Sequence, residues 1–399
     1  MRRAGAWAMS AALALALAAL ATFLAAPLFW KRYLGALLES PADVPGWYQP
    51  RERVAGGNEP PAPRVAPALE LLDPRALEQA AAYAGAHDSH ALIVARHDHI
   101  VFERYWHGSD FETLADAGAF TRVAAALAAG HAVSHRRIGW PDEPIGYFLA
   151  SWRHDPRGAI TVRDLLQMSS GLGAPGASRA PWGPGARALF GTDVTGAALG
   201  EMLISVPGRT FAIQSADPQL LSLVLERATG ARYASYLSQA LWRRIGAADA
   251  WLYLDRPGGA AHADCCMLAR QGDWIRVGEL MLRDGNYRGY EVIRPGWVTL
   301  MRTPARANPD YGAYVRLSAL AAGASEPYAA RDAFAVDGGG GNRLWLIPSL
   351  ELAILRTGGA DRARGFDDAR IPNLIIRGTR DFQPPPVRPG ELSGLVPGH

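Results

Sequence analysis

Gly118–Gly130, GAFTRVAAALAAG, is the stretch from which the rest of the chain is best read. Its residues are small and apolar, no charge follows Arg122, and a glycine stands at the far end, where helices commonly stop. The pattern predicts a buried helix. Just upstream, ALIVARHDHIVFERYW reads as a hairpin, with strands Ala91–Arg96 and Ile100–Trp106 around the turn His97-Asp98-His99. Its His-x-His pair is expected to be a solvated turn rather than a metal site. An amphipathic helix, Pro74–Ala86, precedes the hairpin.

Downstream the pattern is helical. Thr161 is a plausible N-cap with Asp164 in the first turn, Thr195–Val206 and Gln219–Thr229 have helical character, and Tyr233–Ile245 and Asp273–Arg283 follow. Strands then return at Ala333–Val336, Arg343–Ile347 and Leu350–Arg356, before a closing helix Asp368–Ile376. A strand pair, a long helical insert, a strand set and a terminal helix define an α+β fold. One antiparallel sheet is expected from the N- and C-terminal segments, flanked by helices, with a mainly helical subdomain inserted at about 140–260.

Composition narrows the function. The chain has 399 residues, 49% of them hydrophobic, and a net charge of +3. That is ample for a full core and argues against a nucleic-acid partner or an acidic substrate. Lys31 is the only lysine. Every other basic side chain apart from histidine is arginine, which does not deprotonate in proteins. No lysine can therefore serve as general base in the folded body. The two cysteines, Cys265 and Cys266, are neighbours and read as small buried hydrophobes. No cofactor or metal is expected.

The N-terminus carries Arg2-Arg3, an uncharged run from Ala4 to Trp30, then Lys31-Arg32. A run of that length suffices to span a bilayer, which takes roughly 20 residues. Residues 1–33 are expected to be an uncleaved membrane anchor, although Ala19-Leu20-Ala21 also offers a small-x-small signal cleavage site. Residues 34–68, rich in Pro and Gly, read as a linker, residues 69–380 as the domain and residues 381–399 as a disordered tail.

Three motif positions within the domain bear on chemistry. Ala119-Phe120-Thr121-Arg122 opens the central helix, Phe211-Ala212-Ile213-Gln214-Ser215-Ala216-Asp217 precedes Leu220-Leu221, and Val336-Asp337-Gly338 leads into Gly339-Gly340-Gly341-Asn342. In order and spacing these resemble the serine hydrolases of the β-lactamase-like superfamily, nearest the penicillin-binding-protein, class C and 6-aminohexanoate-dimer-hydrolase branch. Met168-Ser169-Ser170-Gly171-Leu172 and Asp264–Leu282 resemble that family's scaffold segments, and the likeness covers about Leu69–Thr379.

The resemblance implies a Ser-x-x-Lys nucleophile and base, a Tyr on the second motif and a Lys or His on the third. Those positions read Ala119 and Arg122, Ile213, and Val336. Acyl transfer needs a nucleophile, a base and oxyanion donors, and none of these four side chains supplies the first two. Thr121 lies two positions along the helix, about 200° around its axis from Ala119. Arg122, Gln214, Ser215, Asp217, Gly338, Gly340 and Asn342 remain as candidate ligand-binding residues, and Arg122 is expected to hold a carboxylate, from a ligand or from Asp116 or Asp217.

The expected function is thus a membrane-anchored, inactive homologue that binds a cell-wall peptide or an envelope protein, with its domain in the periplasm. Two alternatives remain. One is an active esterase, amidase or peptidase whose nucleophile has moved to Ser215, Ser169 or Ser170 with a His. The other is a domain whose cleft is packed shut.

Overall fold

The computed structural model describes residues 20–38, 48–116, 118–173, 180–181, 183–359 and 365–384. Its centre is a five-stranded antiparallel sheet. The N-terminal hairpin supplies β2 (Ser89–Arg96) and β3 (His99–Tyr105), and the C-terminal part supplies β7 (Phe334–Gly339), β8 (Asn342–Ile347) and β9 (Leu352–Gly358), in the order β3-β2-β9-β8-β7. Leu355 faces Ile93 and Trp345 faces Ile354 across this sheet.

The period-two pattern divides these strands between two cores. Ile93, Leu344, Leu346 and Leu355 enter the larger core with the central helix α3 (Phe120–Ser134). Leu92, Val94, Trp345 and Ile354 enter a second core with Leu77 of α2 (Pro74–Gly85) and with Ile371 and Ile375 of the C-terminal helix Arg370–Arg377. Both sheet faces are covered, which explains strands that read as nearly continuous apolar runs.

The inserted region contains α4 (Val162–Leu166), α5 (Pro184–Phe190), α6 (Val194–Leu199), α7 (Ala216–Thr229) and α8 (Tyr233–Leu237), followed by helix α9 (Asp273–Leu282). Thr161 and Asp164 form a reciprocal capping box at the start of α4. Gly230, at φ 72°, closes α7.

Several expectations are corrected. Helix α3 does not stop at Gly130 but runs to Ser134. That glycine is a packing residue: a Cβ there would sit 2.5 Å from the Trp297 ring. Helix α6 ends at Leu199, and the following Met202, Ile204 and Val206 are exposed rather than helical. A second sheet, absent from the sequence reading, has the order β1-β5-β6-β4, formed by Arg51–Val54, Ala250–Tyr253, Met267–Arg270 and Leu114–Asp116. Its strand β1 falls within the stretch read as a linker. Two- to four-residue pairings in short strands leave too little periodicity to read. The turn His97-Asp98-His99 is held by Glu70, whose carboxylate meets the two imidazole Nδ1 atoms at 2.6 and 2.7 Å.

The N-terminal segment is also more integrated than expected. Helix α1 (Pro27–Leu38) packs Phe29 and Tyr33 on Phe190 of α5. Arg32 is fully buried and donates to the carbonyls of Gln49, Phe190, Gly191, Leu254 and Asp255. Among the described residues no helix is long and apolar enough to cross a membrane. Most of the apolar run and the end of the tail lie outside the described residues.

Candidate functional site

Helix α3 begins against the glycine strand. The Ala119 N–H donates to the Gly338 carbonyl at 2.8 Å. Gly118 sits at φ 54°, and a Cβ there would lie 2.3 Å from the same oxygen, so the approach requires glycine. Gly338 is closed in by the Phe120 ring and Asn342, which a Cβ would meet at 2.9 and 2.7 Å. The next amide along, that of Gly339, donates to Asp337 Oδ1 at 2.8 Å. Neither of these two amides is left to meet a developing oxyanion.

One turn along α3, Arg122 closes on Asp264. Its Nη2 lies 2.6 Å and its Nε 2.7 Å from Asp264 Oδ1. Burial opposes the charge, but Asp264 together with Tyr311 and Tyr314 outweighs it and raises the guanidinium above its ordinary pKa. Ser215 Oγ donates to the other carboxylate oxygen at 2.6 Å. A continuous polar chain therefore runs from the glycine strand through the start of α3 to the loop before α7. The first and third motifs meet at Ala119 and Gly338, and the first and second are joined through Asp264. The partner of Arg122 is thus neither Asp116 nor Asp217. In the sequence Asp264 stands only at the start of a scaffold segment, and nothing in its spacing marks it as a partner of Arg122.

The other candidate residues fall into different settings. Ile213 is 59% exposed, while Val336 is buried in the larger core. Gln214 is buried and donates to Ser170 Oγ at 2.7 Å and to Asp217 Oδ1 at 2.9 Å. Asp217 is fully buried; burial pushes its carboxyl up to about 8, against the hydrogen bonds from Ser170 and Gln214 that favour the charged form. Asn342 Oδ1 accepts from the Gly358 amide, and Gly340 stands exposed at φ 59° in the turn between β7 and β8. Thr121 Oγ1 donates to the Gly118 carbonyl and accepts from the Met267 amide.

A pocket of about 340 Å³ opens beside Asp264 and Ser215. Leu189 of α5, Val194 and Ala198 of α6, and Ile213 give it apolar walls, and Glu201 also lines it. His262 reaches it too, but its Nε2 lies 2.5 Å from the Tyr48 hydroxyl and burial lowers its pKa to about 4, so it is neutral at pH 7. Cys265 lies on the same wall, bonded to Cys266, which corrects the reading of two independent buried hydrophobes.

An antiparallel sheet closed by both ends of the chain, with a helical insert and three motifs meeting at the start of a buried helix, defines a β-lactamase/transpeptidase-like scaffold. The chain belongs to the beta-lactamase family: that family's model matches residues 75–357. Over 90 residues it is 39% identical to the 6-aminohexanoate-dimer hydrolase of Paenarthrobacter ureafaciens, a match spanning 22% of this chain and 22% of that one. Among solved structures, a penicillin-binding protein homologue from Caulobacter crescentus superposes with a TM-score of 0.59 at 13% identity, over 77% of this chain and 98% of its own. The class C beta-lactamase of Rhodobacter sphaeroides does so at 0.55 and 15% identity, over 76% and 99%. At such identities these likenesses speak for the fold alone.

Proposed function

We propose that this protein is a non-catalytic member of the beta-lactamase family that binds a cell-envelope ligand, a cell-wall peptide or an envelope protein, in the region of its former catalytic cleft. The observation that carries this reading is the state of the helix start. Ala119 has no nucleophilic atom, its amide already donates to Gly338, and Arg122 is a permanent cation engaged by Asp264. Removing nucleophile and base from such a site costs several orders of magnitude in rate.

A moved nucleophile finds no support in the hydrogen bonding. Ser215 is committed to Asp264, Ser170 accepts from Gln214, and Ser169 points to the Asp164 carbonyl. Among the described residues no hydrogen bond joins any of the three to a histidine. We further propose that the apolar run before α1 anchors the chain in the inner membrane, with the domain in the periplasm. The length of that run supports the anchor, and the family resemblance favours the periplasmic side.

The deciding experiment treats the full-length protein with a fluorophosphonate and with a penicillin, and reads the intact mass. No adduct is expected. A stoichiometric adduct lost on changing a single serine overturns the proposal.

A further inference from the structure

The pocket beside Asp264 has an uneven distribution of charge. Asp264 is neutralised by Arg122, and the Gln219 amide is consumed by the main chain of Ala261 and Ala263. His262 is uncharged. Glu201 differs from all of these. It is half-buried, and no cation lies within ion-pair distance of its carboxylate among the described residues. The nearby Arg157 uses the Glu201 and Leu199 backbone carbonyls and spends its charge on Asp155, 2.7 Å away. Burial alone raises the Glu201 carboxyl above its ordinary pKa, as expected of an acid that has lost water without gaining a partner.

We propose that this pocket binds a primary alkylammonium ligand, its N–H groups on the Glu201 carboxylate and its aliphatic chain along Leu189, Val194, Ala198 and Ile213. The inference rests on the binding reading above and names the ligand chemistry of that region. The volume, about 340 Å³, lies at the lower end of the range for small-molecule sites, which suits one short aliphatic chain, whether free or as the amino-terminated side chain of a larger envelope ligand. A carboxylate accepts N–H hydrogen bonds, and a desolvated one rewards a charged donor most. A quaternary ammonium is disfavoured, because it has no N–H to offer to the carboxylate, and among the described residues no Phe, Tyr or Trp lines the pocket. A carboxylate ligand would face Glu201 with like charge.

The test is calorimetric titration of the full-length protein with n-pentylammonium, pentan-1-ol and pentanoate. Saturable binding of the ammonium alone is expected, weakened about tenfold or more by Glu201→Gln. Ala188→Phe, which adds a ring at the pocket wall without touching charge, is expected to abolish it. Unchanged melting of both variants shows that they fold. No saturable binding by the wild type, equal binding by Glu201→Gln, or equal affinity for the alcohol overturns the proposal. Its failure is separable from failure of the non-catalytic reading: a covalent fluorophosphonate adduct sinks that reading whatever the titrations give, and negative titrations without an adduct sink only the ligand assignment.

Discussion

The Arg122 guanidinium closes on the Asp264 carboxylate at 2.6 Å, and both side chains are more than four-fifths buried. At this point in the scaffold a serine hydrolase would keep a group able to take up a proton. This chain keeps an ion pair instead, and extends it by a hydrogen bond to Ser215.

Restoring the hydroxyl alone is expected to restore nothing. An Ala119→Ser variant gains an Oγ but has no base, since Arg122 stays protonated at any working pH. Adding Arg122→Lys is expected to leave it inert too, because Asp264 beside the new ammonium favours the charged form. Intact-mass spectra after fluorophosphonate treatment should show unmodified protein for both. A stoichiometric adduct on the single variant would contradict this.

Breaking the ion pair should cost stability. Arg122→Ala leaves a largely buried carboxylate bonded only to Ser215, and a loss of about 1–3 kcal/mol is expected in urea unfolding. Asp264→Asn should cost a comparable amount. The double variant should lose less than the sum of the two, and strict additivity would show that the pair carries no coupling.

Asp217 makes stability depend on pH. Its carboxyl titrates at about 8 in the folded chain, well above an unfolded aspartic acid near 4. Between those values the native state holds a proton that the unfolded state has released. Stability from this group is therefore complete below about pH 4 and declines as pH rises to about 8. Asp217→Asn, which mimics the protonated acid, should flatten that decline and raise the melting temperature at pH 8 relative to wild type. An unchanged slope in the variant would show that another group sets it.

Gly130→Ala tests the packing of the central helix. Alanine favours a helix over glycine by about 1 kcal/mol, yet a Cβ here would meet the Trp297 indole, whose Nε1 donates to the Ala126 carbonyl at 3.1 Å. Overpacking is expected to prevail, with a net loss of about 1–2 kcal/mol in thermal unfolding. A rise in melting temperature would mean that the ring yields freely.

The sheet and the terminal helices were legible because their signals are local. The strands around His97-Asp98-His99 and Pro348-Ser349 show apolar runs with turn residues between them, and the Thr161–Asp164 box is a four-residue pattern. The start of the central helix was legible from motif spacing, and its end was not. Gly130 looks like a stop, and only Trp297, far along the chain, reveals it as a contact. Asp264 was invisible for the same reason. Its meaning comes from Arg122, 142 positions away. Glu201 was missed because its significance is a missing partner, which no local pattern displays.

The five carbonyls gathered around Arg32 have a mechanical consequence. They come from the segments at residues 49, 190–191 and 254–255, so the guanidinium pins α1 to the body at several separated places. Pivoting at this joint would strand all of those oxygens in an apolar setting. Helix α1 and the body therefore turn together, as a keyed shaft turns its wheel, and the pocket mouth beside α5 keeps one bearing relative to that helix.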